Sequence, residues 1–129
     1  MRLLVDIGNS TTVMAIAKAD GSIESTWRFK TQKNGTEYFF RNEIIGGLTP
    51  RSITPSQIEA VVVSSVVPEV KEELSEAVIS VIGKAPHFFS VHDAKRVINI
   101  DVESPTQLGN DRVADAIGAV ACYGAPVIV

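Results

Sequence analysis

Residues 6–12 read "DIGNSTT": a carboxylate, then a glycine, then four small polar side chains. The apolar run Leu3, Leu4, Val5 stops at Asp6. Gly8 tolerates a positive φ and lets a ligand approach the backbone. Successive N–H groups through a tight turn form a concave anion site, and the hydroxyls of Ser10, Thr11 and Thr12 add donors. Such a turn suits a phosphate chain. Asp6 opposes it, since like charges about 4 Å apart repel by several kcal/mol at an intermediate dielectric. A cation between them removes the conflict: Mg²⁺ keeps most of its waters and binds through one or two carboxylates plus phosphate oxygens. Asp6 is then the expected ligand of a metal or of its water. The same residues also suit a plain hairpin, because Asn, Ser and Gly are common in turns and an aspartate can cap its own turn.

A second group lies in "SPTQLGNDRVADAIGAV", where Gly109, Asp111 and Arg112 stand at the mouth of an expected helix. A helix N-terminus attracts anions. The pair also has a purely structural reading, with Asp111 as first-turn carboxylate and Arg112 as a surface charge. His87 and His92 flank a short strand, with no Cys or carboxylate at ligand spacing, and read as structural. The single cysteine, Cys122, excludes an internal disulfide and reads as a small buried hydrophobe.

The elements that must position these groups follow from periodicity. Leu3–Asp6 reads as a buried strand and Thr12–Lys18 as a second. Asp20-Gly21 is a hairpin signal. Ile23, Ser25, Trp27 and Phe29 then alternate with Glu24, Thr26, Arg28 and Lys30, a strand with one dry and one wet face. A helix is expected from about Thr36 to Ile45, with Phe40, Ile44 and Leu48 on one side. "AVVVSS", residues 60–65, reads as a strand buried on both faces. Pro68 opens a helix whose stripe Val70, Leu74, Val78, Val81 points inward, while Lys71, Glu72, Glu73 and Glu76 face water and Gly83 ends it. His87–Val91 reads as a short strand, residues 96–106 as irregular, and Asn110–Cys122 as a helix lined by Val113, Ile117, Val120 and Ala121. The order is β-β-β-α-β-α-β, a mixed sheet with helices on its faces.

"DIGNSTT", "SSVVPEV" and "PTQLGNDRVADA", in this order and spacing, resemble type III pantothenate kinases. The resemblance covers the whole chain but only about the first half of such an enzyme. It implies an α/β, ribonuclease-H-like (actin-like ATPase) fold: the mixed sheet above with helices on both faces, plus the start of a second similar domain. Residues 1–95 would form the nucleotide-binding domain, and residues 96–129 the start of the second, with a substrate-binding helix and a first strand. Carried over residue by residue, Asp6, Ile7, Gly8, Asn9, Ser10, Thr11, Thr12 and Val13 match the loop that holds the ATP phosphates, with Asp6 serving the metal. Gly109, Asn110, Asp111 and Arg112 match the G-x-D-R element that contacts pantothenate, with Asp111 as general base. Ser64 and Ser65 end a strand near the cleft and take no direct role.

The resemblance further implies ATP-dependent phosphorylation of pantothenate, the first step of coenzyme A synthesis, with Mg²⁺ and a monovalent cation (K⁺ or NH₄⁺) in a homodimer. Two departures stand out. Many relatives carry a tyrosine before the proline of the second motif, whereas Asp101–Pro105 has Val102 and no tyrosine. The family's second phosphate loop, Asp-x-Gly-Thr after a buried strand, would fall beyond Val129, as would the monovalent-cation ligand; "PVIV" reads as that strand. The chain is therefore expected to be part of something longer and to be inactive alone. Two alternatives compete: a non-catalytic regulator on the same scaffold, or another small-molecule kinase of the superfamily.

Bulk properties narrow the field. The 129 residues suffice for one domain with a real core, and 45% apolar with 21% charged residues is ordinary for a globular protein. A net charge of −3 without a basic block argues against nucleic acid or anionic lipid as partners. No run approaches the roughly 20 apolar residues that span a bilayer. Arg2 followed by an apolar run ending at Asp6 does not make a signal peptide, so a cytoplasmic location is expected.

Overall fold

Leu3, Val5 and Ile7 alternate with Arg2, Leu4 and Asp6, and the chain forms from them strand β1 (Arg2–Ile7) with the first set buried. The computed structural model describes residues 1–129, apart from the side chain of Thr106. The chain divides into two compact units, Met1–Phe88 and Phe89–Val129.

In the first unit β2 (Thr11–Ala17) and β3 (Ile23–Lys30) complete an antiparallel meander with β1. β4 (Ala60–Ser65) pairs parallel to β1, and β5 (His87–Phe88) parallel to β4, giving the order β3-β2-β1-β4-β5. This is the mixed sheet of a ribonuclease-H-like, actin-like fold. The hairpin at Asp20-Gly21 forms as its residues demand: Gly21 has φ 87°, and the Asp20 carboxylate accepts from Ser22 N (2.9 Å) and Ser22 Oγ (2.6 Å).

Helix α1 (Glu37–Leu48) starts one residue after Thr36, whose hydroxyl accepts from Phe39 N at 3.3 Å. Helix α2 (Lys71–Ile82) follows a single 3-10 turn, Pro68–Val70, and ends at Gly83 with φ 76°. Val70, Leu74 and Val78 are buried as the spacing predicts, and Val81 packs half-buried against them. Glu73 departs from the expectation of a solvated face. It is half-buried, and its carboxylate accepts from Glu37 N at 2.6 Å, because the unsatisfied N–H groups at the start of α1 attract an anion.

The core joins Leu3, Val5, Ile7, Met14, Ile16, Val61 and Val63 of the sheet to Phe40, Ile44 and Leu48 of α1 and Leu74, Ala77 and Val78 of α2. Both helices therefore lie on one face of the sheet, where the sequence implied helices on both. The opposite face carries Leu4, Val13, Ala15 and Val62, each half-buried. β4 is accordingly buried on one face, not two. The β-branched run alone cannot distinguish these cases.

The expected strand His87–Val91 is cut short at Phe88. Ser90 caps a new helix, α3 (Val91–Ala94), accepting from Asp93 N while its own N–H and Oγ–H reach Asp93 Oδ2. In the second unit α4 (Asn110–Tyr123) forms as expected. Only Val113 of its apolar stripe is buried, while Val120, Ala121 and Cys122 are exposed. Cys122 is thus not the buried hydrophobe that its neighbours suggested. "PVIV" forms no strand, since a strand exists by pairing and the second unit offers no ladder partner among the described residues; Ile128 is 99% exposed.

Candidate functional site

Asp6 is exposed near the end of β1, on the sheet face opposite the core, between its ladder partners Val13 on β2 and Ser64 on β4. The next residue, Ile7, turns into the core, and its carbonyl accepts from Val66 N at 3.0 Å. Gly8 N donates to Thr11 O at 3.0 Å and closes the turn. The positive-φ glycines among the described residues are Gly21, Gly83 and Gly124, so Gly8 is not required for φ. Space is tight there: a Cβ would lie 3.1 Å from Thr11 O, so the turn would have to give by a few tenths of an ångström to admit one. Asn9, Ser10 and Thr11 are exposed, so two hydroxyls and an amide face outward around the turn.

Thr12 does not join them. Its residue is 1% exposed, and its Oγ1 lies 2.9 Å from Thr31 Oγ1. Thr31 Oγ1 donates to Gly8 O at 2.8 Å. A hydroxyl has one proton, so Thr12 must be the donor to Thr31. The relay runs Thr12 to Thr31 to the Gly8 carbonyl, and the Thr12 proton is committed to holding the turn from inside. Thr31 N also donates to Ser10 O at 2.9 Å. Val13 adds a half-buried side chain beside Asp6 and no polar group.

The sequence reading missed Thr31, though the signal was present. The hairpin at Asp20-Gly21 brings β3 back along β2, with Lys18 N donating to Ser22 O at 2.9 Å and a bulge at Ile16/Ala17, and so returns Thr31 to a place opposite Ser10. Ser64, expected near the cleft with an indirect role at most, is Asp6's register partner, and its Oγ is buried with no hydrogen-bond partner among the described residues. Ser65, by contrast, is spent on its own turn, accepting from Val67 N at 3.0 Å and donating to Val67 O at 3.1 Å.

No three His, Cys, Asp or Glu side chains among the described residues gather into a metal cage. A single exposed carboxylate beside a buried hydroxyl and an outward donor turn fits Mg²⁺, which takes its remaining ligands from water and phosphate.

The second group lies in the other unit. Gly109 is the N-cap of α4 and brings no side chain to it. Asn110, Asp111 and Arg112 are the first three helical residues. Asp111 Oδ1 accepts from Arg112 N at 2.8 Å, which satisfies one open helix donor and fixes the carboxylate while leaving Oδ2 outside that bond. Asp111 is half-buried and Arg112 exposed. Of the expected phosphate-loop residues, Asp6, Asn9, Ser10 and Thr11 are thus exposed at one hairpin while Ile7 and Thr12 are buried behind it, and Gly109 to Arg112 stand together at one helix start.

A family profile described as type III pantothenate kinase matches residues 2–129. Over all 129 residues the chain is 32% identical to a type III pantothenate kinase of Bifidobacterium animalis subsp. lactis, covering 50% of that protein. It is 27% identical to one of Listeria innocua and 26% to one of Listeria monocytogenes, covering 49% of each. The chain spans about half the length of these curated relatives. No helix among the described residues is long and apolar enough to cross a membrane.

Proposed function

The chain belongs to the type III pantothenate kinase family, and from that premise we propose that it serves the ATP-dependent phosphorylation of pantothenate to 4'-phosphopantothenate, in the cytoplasm and as a homodimer. The single observation that carries this reading is the family match over residues 2–129, which includes both the donor turn at Asp6 and the helix start at Asp111. Residues 1–95 serve the nucleotide and residues 96–129 begin the substrate side.

Ser10 and Thr11 donate to phosphate oxygens from the exposed side of the turn, while the Thr12–Thr31 relay keeps the turn from collapsing. Asp6 would hold Mg²⁺, which would supply neutralisation of charge on the phosphate chain. A monovalent cation, K⁺ or NH₄⁺, would be a further requirement, with no ligand assigned among these residues. Transfer of the γ-phosphoryl group needs the attacking hydroxyl held in line and its proton removed. Asp111 takes that proton through the oxygen not bonded to Arg112 N. Arg112 pairs with the pantothenate carboxylate.

A coupled assay of the protein as its gene encodes it, with pantothenate, ATP, Mg²⁺ and K⁺, tests this reading. Turnover is expected, and Asp111→Asn should lower kcat by about 10²–10⁴. Unchanged turnover in that variant removes the general base, and no preference for pantothenate over other alcohols removes the substrate.

A further inference from the structure

A buried hydroxyl without a partner is costly, and such groups call for an explanation, often an ion or a water held in the working protein. Among the described residues, three buried side-chain atoms are in that position: Ser25 Oγ, Trp27 Nε1 and Ser64 Oγ. Ser25 and Trp27 belong to the core side of β3, paired across from Ile16 and Met14. Ser64 differs, because its ladder partner is Asp6. Partnered residues of adjacent parallel strands project on the same face, and neighbouring strands lie about 4.8 Å apart. A carboxylate and an unsatisfied hydroxyl therefore stand side by side on the face opposite the core, next to the turn at Gly8.

We propose that Ser64 is a positioning residue for the divalent cation at Asp6, its Oγ accepting a hydrogen bond from a water of the cation's shell. This rests on the reading of the Asp6 turn as a phosphate and metal site. The chemistry matches the orphan atom: water bound to a cation is a strong donor, and Ser64 Oγ has unused lone pairs. It also accounts for a serine in a run of valines, where Val63 and Val62 are the neighbouring choices and a hydroxyl contributes nothing to packing.

The test titrates the protein as its gene encodes it with Mn²⁺–ATP and without pantothenate, reading the protein-bound Mn²⁺ by the enhancement of water proton relaxation, with Mn²⁺–ATP alone as the blank. Ser64→Ala should weaken Mn²⁺ binding about tenfold, as loss of such an outer partner does. Ser64→Thr, which keeps the hydroxyl, should restore it. Ser25→Ala, which removes the other orphan hydroxyl, should leave it unchanged. The melting temperature of Ser64→Ala should equal or exceed that of the parent, since an unsatisfied group is removed. Asp6→Asn separates the two ideas. If Asp6→Asn abolishes binding while Ser64→Ala does not alter it, Ser64 has no such role and the phosphate site stands. If Asp6→Asn binds Mn²⁺ with ATP as the parent does, the site itself is misread and the role of Ser64 falls with it.

Discussion

Replacing Thr31 with valine should destabilise the first unit out of proportion to the change in size. Valine matches threonine in shape, so packing is nearly kept and the hydroxyl is what goes. Gly8 O loses its donor at 2.8 Å, at a cost of about 1 kcal/mol. The Thr12 hydroxyl, in a residue only 1% exposed, loses its acceptor and is left buried, at a cost of about 1–3 kcal/mol. Thr31→Val should therefore cost about 2–4 kcal/mol. Thr12→Val should cost only about 1 kcal/mol, because Thr31 keeps its own bond to Gly8 O. In the double variant no buried hydroxyl is orphaned, and the cost should fall to about 1–2 kcal/mol, below the sum of the singles. Trp27 is the chain's only tryptophan and lies on β3 in the same unit, so urea unfolding followed by its fluorescence reads the cycle directly. Additive single costs, or a larger loss from Thr12→Val than from Thr31→Val, would refute the proton assignment along the relay.

Gly47→Ala should destabilise by about 1–3 kcal/mol and shift the Trp27 emission, since a Cβ there would lie 2.0 Å from Trp27 Cε2. Gly46→Ala, one residue away and with nothing within 4 Å, should instead stabilise α1 by about 0.5–1 kcal/mol in the same unfolding assay. The Ser22 hydroxyl, and next the Ser22 amide, hold the Asp20 carboxyl below the ordinary aspartate range. Its contribution to the hairpin is then present above the unfolded-state value and lost as pH falls through the lowered folded-state value; the difference between parent and Asp20→Ala in Ser22 amide exchange should vanish over that acid range. Glu73→Ala should cost about 1 kcal/mol by removing the anion at the start of α1, and Glu73→Gln less, measured by thermal melting.

Much of the first unit was legible because its residues agree at several levels. The alternation from Ser25 to Lys30 fixed which face of β3 is drier, and Asp20-Gly21 marked the hairpin, but the bulge at Ile16/Ala17 and the exposure of Ile23 beside it (52%) were not legible. Pro68 and Gly83 bracketed α2 within a short 3-10 turn. What was not legible depended on partners distant in sequence. Glu73 looks like surface charge until α1 places an open N-terminus beside it. Thr12 looks like a phosphate donor until Thr31 claims its proton. "PVIV" has the composition of a strand, but composition supplies no neighbour to pair with, and Val120 and Cys122 show that an apolar stripe does not bury itself. For the candidate site, residue types announced the turn and the helix start, while the division between outward and inward hydroxyls came only from the fold.

The position of the Asp6 carboxylate is itself a consequence of the core. Side chains along a strand alternate with a period of two, so a slip of one residue in β1 would send Asp6 inward and Ile7 outward. Leu3, Val5 and Ile7 are each 2% exposed or less. Burying one such side chain is worth about 1.5–3 kcal/mol, so the slip would forfeit several kcal/mol before the cost of an interior carboxylate is added. The same alternation in β4 buries Val61 and Val63 and thereby sends Ser64 to the face that holds Asp6. Two polar side chains from strands more than fifty residues apart are thus aligned by their apolar neighbours and by the ladder between β1 and β4. The dry face fixes the wet one: a core substitution that loosened the β1–β4 register would disturb the carboxylate and hydroxyl together, without touching either.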